Sequence, residues 1–334
     1  MRRRSLLLAI PPAAFAAGQA HAQAPAPGVA TMRLSHQYPP SHHISRLLEA
    51  FAADVGIRSN GSVVVQIFPA EQLARVSENF PGVARGAFEA AVATNFTWGN
   101  TIPEMSAPTI PYLFTSLDRI QKFAGSDARR FLDAATSRRA VRSLGWLFTT
   151  RSSIFTSQRR PILELADFRG LKIRGLNALI DSGLSAAGAA PAATPAPEVT
   201  AALQSGVLDA GLTDVSAAVS RRFYEVQRFG TVAPFFAVFT QVYVNPRWWD
   251  GLRTEQRSAI EAAMGKSETD AIGVTEATAA AALVELRAKG MTVHEQTDAE
   301  AAAWRDVMQP PVLANFLRQA PDGGPRILEL LRAL

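Results

Sequence analysis

The stretch TEQRSAIEAAMGKSETDAIGVTEATAAAALVELRAK, residues 254–289, holds no proline and is rich in Ala, Glu, Leu, Met and Arg, all strong helix formers. At about 1.5 Å per residue, one helix over this span reaches roughly 50 Å, longer than a small domain is wide. Outside a coiled coil, a helix of that length is expected to bridge two lobes. Gly265 and Gly273 weaken it locally, so two helices broken at one of these glycines is the competing reading.

Upstream, Thr31–Ser35 reads as a strand, and a helix follows Ser41, a good N-cap residue. Ile44, Leu47, Leu48, Phe51 and Val55 share one face at helical spacing. Asn60-Gly61 marks a turn before an apolar strand over 63–68, then a helix over about 76–85 and a strand near 90–93. The middle of the chain repeats the rhythm. Strands are expected at 143–148, 152–156, 171–174 and 207–212, helices over about 176–187 and 197–204, and a β run at 235–244. Such alternation predicts an α/β fold with largely parallel sheet, and two such segments predict two lobes.

The first residues read as an address. Arg2, Arg3 and Arg4 precede an apolar stretch, Leu6 to Ala17, and Ala20-His21-Ala22 is an A-x-A cleavage signal. Residues 1–22 are thus expected to be a signal peptide, exported by the Sec or twin-arginine route to the periplasm, and residues 23–30 a Pro/Ala linker. The formal charge of +5 includes the leader's three arginines, so the mature chain stands near +2 and no nucleic-acid partner is expected. There is no cysteine, which excludes disulfides, thiolate metal sites and thiol catalysis. Lys122, Lys172, Lys266 and Lys289 are the only lysines among 34 basic residues. Arginine is therefore the default cation here, and no single one is special by type.

Catalytic motifs are missing. Gly183 to Gly188 has the wrong spacing for a nucleophile elbow. Gly265-Lys266-Ser267 has Ile260 where a phosphate loop needs its first glycine. His42 and His43 diverge by about 100° on a helix, so they do not form a paired ligand set, and they read as a solvated helix start. No catalytic residue, metal or cofactor is expected.

In Leu171-Lys172-Ile173-Arg174-Gly175 the apolar and basic residues alternate as a strand requires, and Arg174 falls at the strand's end. Ligands of open α/β sheets bind at the carboxyl ends of strands, and a guanidinium matches a carboxylate with two parallel hydrogen bonds. Spacing alone favours a structural salt bridge over a ligand contact.

The segment Asp167-Phe168-Arg169-Gly170-Leu171-Lys172-Ile173-Arg174 resembles the hallmark stretch of the solute-binding proteins of TRAP (tripartite ATP-independent periplasmic) transporters. The likeness continues through Glu198 to Asp209 and Phe223-Tyr224-Glu225-Val226-Gln227, and upstream through Asn60-Gly61, Phe68 to Leu73 and Pro111 to Phe114. It runs in order from about residue 31 to 300. The resemblance implies a two-lobed periplasmic-binding-protein fold with a central cleft and a long interdomain helix. Residues 31–148 with about 237–275 would form one lobe, and 149–236 with about 276–334 the other. The lobes would close on a small organic acid, offered to the permease subunits of a TRAP transporter by a monomer.

The resemblance maps the carboxylate-binding arginine onto Arg174 and a second arginine onto Arg151. Where many relatives carry a ligand-facing asparagine, this chain has Thr213 and Asp214, and an anion there would repel a second carboxylate. Further cleft candidates are Gln37 and Tyr38 after the first strand, Asn95, Thr97 and Trp98 after the third, and Gln241 in the late β run. Three alternatives remain: a binding protein of another importer class, a ligand sensor for a membrane receptor, and a periplasmic enzyme using an acid pair such as Asp209 and Asp214.

Overall fold

The computed structural model describes residues 28–334; the expected signal peptide, residues 1–22, and residues 23–27 of the expected linker lie outside the described residues. Two sheets form the frame. The first contains β1 (Ala30–Ser35), β2 (Val63–Phe68), β3 (Ala90–Thr94), β4 (Arg142–Thr150) and the later β10 (Val238–Val244), in the order β2-β1-β3-β10-β4. The second contains β5 (Ser153–Ser157), β6 (Lys172–Gly175), β7 (Ala190–Ala193), β8 (Ala210–Asp214), β9 (Phe229–Ala233) and β11 (Thr292–Glu295), in the order β11-β9-β5-β8-β6-β7. Ala30, at the end of the expected linker, already pairs with Val63.

Both sheets are mixed rather than largely parallel. β1 runs parallel to β2 and β3, and β6 to β7 and β8, but β10 is antiparallel to β3 and β4, and β5 to β8 and β9. The reason lies in two short crossings between sheets, β4 to β5 and β9 to β10. Neither has room for the crossover helix that a parallel return demands.

The helices are α1 (His43–Arg58), α2 (Val76–Arg85), α3 (Asn95–Trp98), α4 (Leu117–Phe123), α5 (Asp127–Ser137), α6 (Ala178–Ala186), α7 (Val199–Gln204), α8 (Val215–Ser220), α9 (Pro246–Asp250), α10 (Thr254–Ala288), α11 (Asp298–Gln319) and α12 (Gly324–Arg332). α1 buries the expected Ile44, Leu47, Leu48, Phe51 and Val55, but its N-cap is His42, not Ser41: His42 Nδ1 accepts the Ile44 N–H at 3.1 Å. Gly206, at φ +75°, turns the chain out of α7, so β8 starts later than expected and ends at Asp214. Asn177 accepts the Ile180 N–H at 3.0 Å and starts α6 beyond the end of β6.

α10 is one unbroken helix. Its first half packs on α1 and β4, its second half on α8 and β11, so it touches both sheets' halves. The buried positions are mostly small (Ala259, Ala263, Ser267, Ala271, Thr275, Ala282), which lets the helix lie close to β4. Gly145 makes room for Met264, and Thr275 Oγ1 donates to the Phe148 carbonyl at 2.7 Å. At the C-terminus, α11 lies on α6, while α12 returns to α5 and the turn Pro103–Thr109. The last helix therefore packs on the first half, where the sequence assigned 276–334 wholly to the second.

Candidate functional site

β6 ends beside β8 in the interior of the second sheet, and its last residues Ile173, Arg174 and Gly175 are buried while Lys172 is exposed. Arg174 is only 4% exposed. Its Nε donates to the Thr194 carbonyl at 3.1 Å and its Nη1 to the Leu212 carbonyl at 2.7 Å, which fixes the plane of the guanidinium. Nη2 has no hydrogen-bond partner, and the group forms no ion pair, among the described residues. Arg174 is thus not in the structural salt bridge that spacing alone favours. Burial, with the neighbouring Arg221, brings its pKa down to about 10, against the pull of Asp214 and Asp181.

Asp214 closes β8 and caps α8, accepting the Ala217 N–H at 2.7 Å on Oδ1. Its side chain is 13% exposed, and His42 Nε2 lies 3.9 Å from Oδ1. Burial works to raise its pKa, but His42, His43 and the Ala217 N–H outweigh it and hold the carboxyl below its ordinary range. At the other end of α8, Arg221 reaches across to the first half, its Nη2 donating to the Gln37 carbonyl at 3.4 Å. Burial lowers the Arg221 pKa, opposed by Asp214, Tyr38 and Glu71.

These groups surround two adjoining cavities. The inner one, about 40 Å³, lies at the crossings between the sheets; Arg174, Asp214, Arg221, Thr213, Thr149 and Thr150 line it with Gln37, Tyr38, Phe96 and Phe236. The outer one, about 310 Å³, shares Arg174, Gln37, Phe96 and Leu176 and adds Thr97, with Glu71, Arg75 and Glu198 at its rim. Grooves of about 710 and 720 Å³ elsewhere do not touch Arg174.

Of the residues named from sequence, Arg174, Gln37, Tyr38, Thr213 and Asp214 meet at the inner cavity and Thr97 at the outer. Four others do not line either. Arg151 is bidentate on Glu276 of α10, at 3.0 and 2.7 Å. Asn95 donates to the Met105 carbonyl and accepts the Phe239 N–H at 3.0 Å, a purely internal role. Trp98 packs between Phe80 and Tyr243, at 5.1 and 5.0 Å between centroids. Gln241 points to the other face of its sheet, 3.4 Å from Asp133 Oδ1 and Thr136 Oγ1.

His42 and His43 are both 1% exposed, not a solvated helix start. Their rings stack 4.4 Å apart, and Tyr38 lies 4.5 Å from His42. Burial depresses His43 to about 3 and His36 to about 4, and lowers His42. The sequence reading missed Arg221. A signal existed, since Arg221 stands seven residues beyond Asp214, two turns along α8 on the same face.

Comparison with known proteins agrees with this frame. The family model described as "Bacterial extracellular solute-binding protein, family 7" matches residues 34–319. The C4-dicarboxylate-binding periplasmic protein DctP of Rhodobacter capsulatus is 28% identical over 255 residues, covering 75% of this chain and 76% of that one. A TRAP periplasmic solute-binding protein from Desulfovibrio salexigens, solved with orotic acid, superposes with a TM-score of 0.86 at 26% identity, covering 91% of this chain and 97% of that one. An extracytoplasmic solute receptor of Bordetella pertussis binding pyroglutamic acid has the same fold, with a TM-score of 0.85 at 21% identity over 91% of this chain and 100% of that one.

Proposed function

We propose that this chain, which belongs to family 7 of the bacterial extracellular solute-binding proteins, captures a small organic acid in the periplasm and delivers it to the membrane subunits of a TRAP-type importer. One observation carries the reading. Arg174 is a buried guanidinium held in plane by two carbonyls, with Nη2 unpartnered beside a cavity. A buried charge is costly unless paired, so the site is incomplete until an anion supplies the missing acceptor. A carboxylate does this in the geometry that guanidinium favours, and exclusion of water strengthens the pair.

Closure of the two halves over the acid would couple occupancy to a shape the membrane subunits recognise. Gln37 and Tyr38 from the first half, and Arg174, Thr213 and Asp214 from the second, are the residues we assign to the ligand, with Thr97 toward the entrance. Relatives are named for dicarboxylate, orotate and pyroglutamate ligands alike, which supports an organic acid as the class.

A thermal-shift screen of organic acids finds the ligand, since binding raises stability by mass action. Titration calorimetry then tests the role of Arg174. Arg174→Ala is expected to cost about 2–5 kcal/mol of binding free energy, and Arg174→Lys to recover little of it because a point charge does not replace the fork. Binding by the alanine variant at wild-type strength would remove Arg174 from the site.

A further inference from the structure

We infer that the cavity selects acids of a single negative charge that carry a hydrogen-bond donor in addition to the carboxylate, with Asp214 as the residue that rejects a second carboxylate. This rests on the reading that Arg174 holds the ligand's acid group.

The charges facing the inner cavity are Arg174, Arg221 and Asp214, a balance of one positive charge. Its other polar groups are neutral, and burial lowers the pKa of the His42 ring behind Asp214. Asp181 lies near Arg174 but lines neither cavity, its Oδ1 accepting the Leu176 N–H at 2.8 Å, and its charge opposes a dianion further. At the rim, Glu71 is half-buried while Arg75 and Glu198 are exposed, where water screens them. One anion therefore neutralises the enclosed charge, and two overcompensate it.

Asp214 adds direction to this balance. Oδ1 is occupied by the Ala217 N–H, whereas Oδ2 has no hydrogen-bond partner among the described residues, on a side chain that lines the cavity. An ionised carboxylate is acceptor-only, so a ligand group placed against it must be an N–H or O–H. β6 and β8 are parallel neighbours with Ile173 level with Ala210. Arg174 is then level with position 211, but its Nη1 reaches the Leu212 carbonyl at 2.7 Å, so the guanidinium stands about two residues, roughly 7 Å, short of Asp214 along the strand direction. Acid group and donor are thus read at two separated points, one by a fixed cation and one by a fixed anion.

The test compares pyroglutamate (one carboxylate, one N–H), cyclopentanecarboxylate (no donor) and succinate (two carboxylates) by calorimetry. It uses the full mature chain alongside a wider thermal-shift panel balanced between mono- and dicarboxylates. Wild type is expected to prefer donor-bearing monocarboxylates at least tenfold over both other classes. Asp214→Asn keeps an oxygen for the α8 cap and adds an amide donor, so it should shift the ratio toward dicarboxylates tenfold or more. Asp214→Ser, which also caps but carries no charge, should lose the preference for a donor and relieve the rejection of the dicarboxylate, and an unchanged unliganded melting temperature verifies that both variants fold. Equal or stronger dicarboxylate binding by wild type, with the ratio unmoved by Asp214→Asn, overturns the inference; loss of that binding in Arg174→Ala then shows that the organic-acid reading survives it. No binding of any acid in the panel overturns both.

Discussion

Asp181 accepts the Leu176 N–H from within the fold, and burial pushes its carboxyl from 3.8 up to about 6. Between those values the folded chain keeps a proton that the unfolded chain has released. Stability from this group therefore falls as pH rises through the window and stays lowered above about 6, by about 3 kcal/mol at most. Asp181→Asn keeps the accepting oxygen without the charge. Its stability relative to wild type is expected to improve from pH 4 to about pH 6 and to level off above that in urea titrations; a difference constant with pH would refute this. Single residues were legible in the sequence where a strand pattern fixed their position, as at Arg174. Arg151, Asn95 and Gln241 were not, because their partners Glu276, Phe239 and Thr136 are distant in the chain.

Among the elements, α10 gives the sharpest contrast between two kinds of glycine. Gly265 and Gly273 are exposed, and an added methyl group at either meets nothing within 4 Å. Gly265→Ala and Gly273→Ala are each expected to stabilise the chain by about 0.5–1 kcal/mol, because alanine loses less backbone freedom on folding. At Gly145 in β4 a methyl group would collide with Met264, so Gly145→Ala is expected to cost about 1–3 kcal/mol. Urea midpoints of the three variants check both signs. The helix was readable from propensity and its lack of proline. Strand polarity was not, because it depends on where the chain crosses between sheets, which local pattern does not record.

The whole molecule is joined at four places: between β4 and β5, between β9 and β10, along α10, and where α11 leads into α12. The Arg151–Glu276 pair fastens the first of these to the third; both side chains are about a third exposed, at 32% and 28%. Arg151→Ala is expected to cost about 0.5–1 kcal/mol of stability and to leave ligand affinity within about twofold. An affinity loss comparable to that of Arg174→Ala would instead place Arg151 on the ligand.

Thr149, Thr150 and Phe236 line the inner cavity and belong to or adjoin the two short crossings, while Glu71 and Glu198 stand at the outer rim on opposite halves. Under the proposed closure of the halves about these crossings, whatever binds inside would sit near the pivot, and the rim would lie at the end of a lever. A ligand that draws its two walls together by a fraction of an ångström there swings the lips through a larger arc, so a small cargo moves a large face.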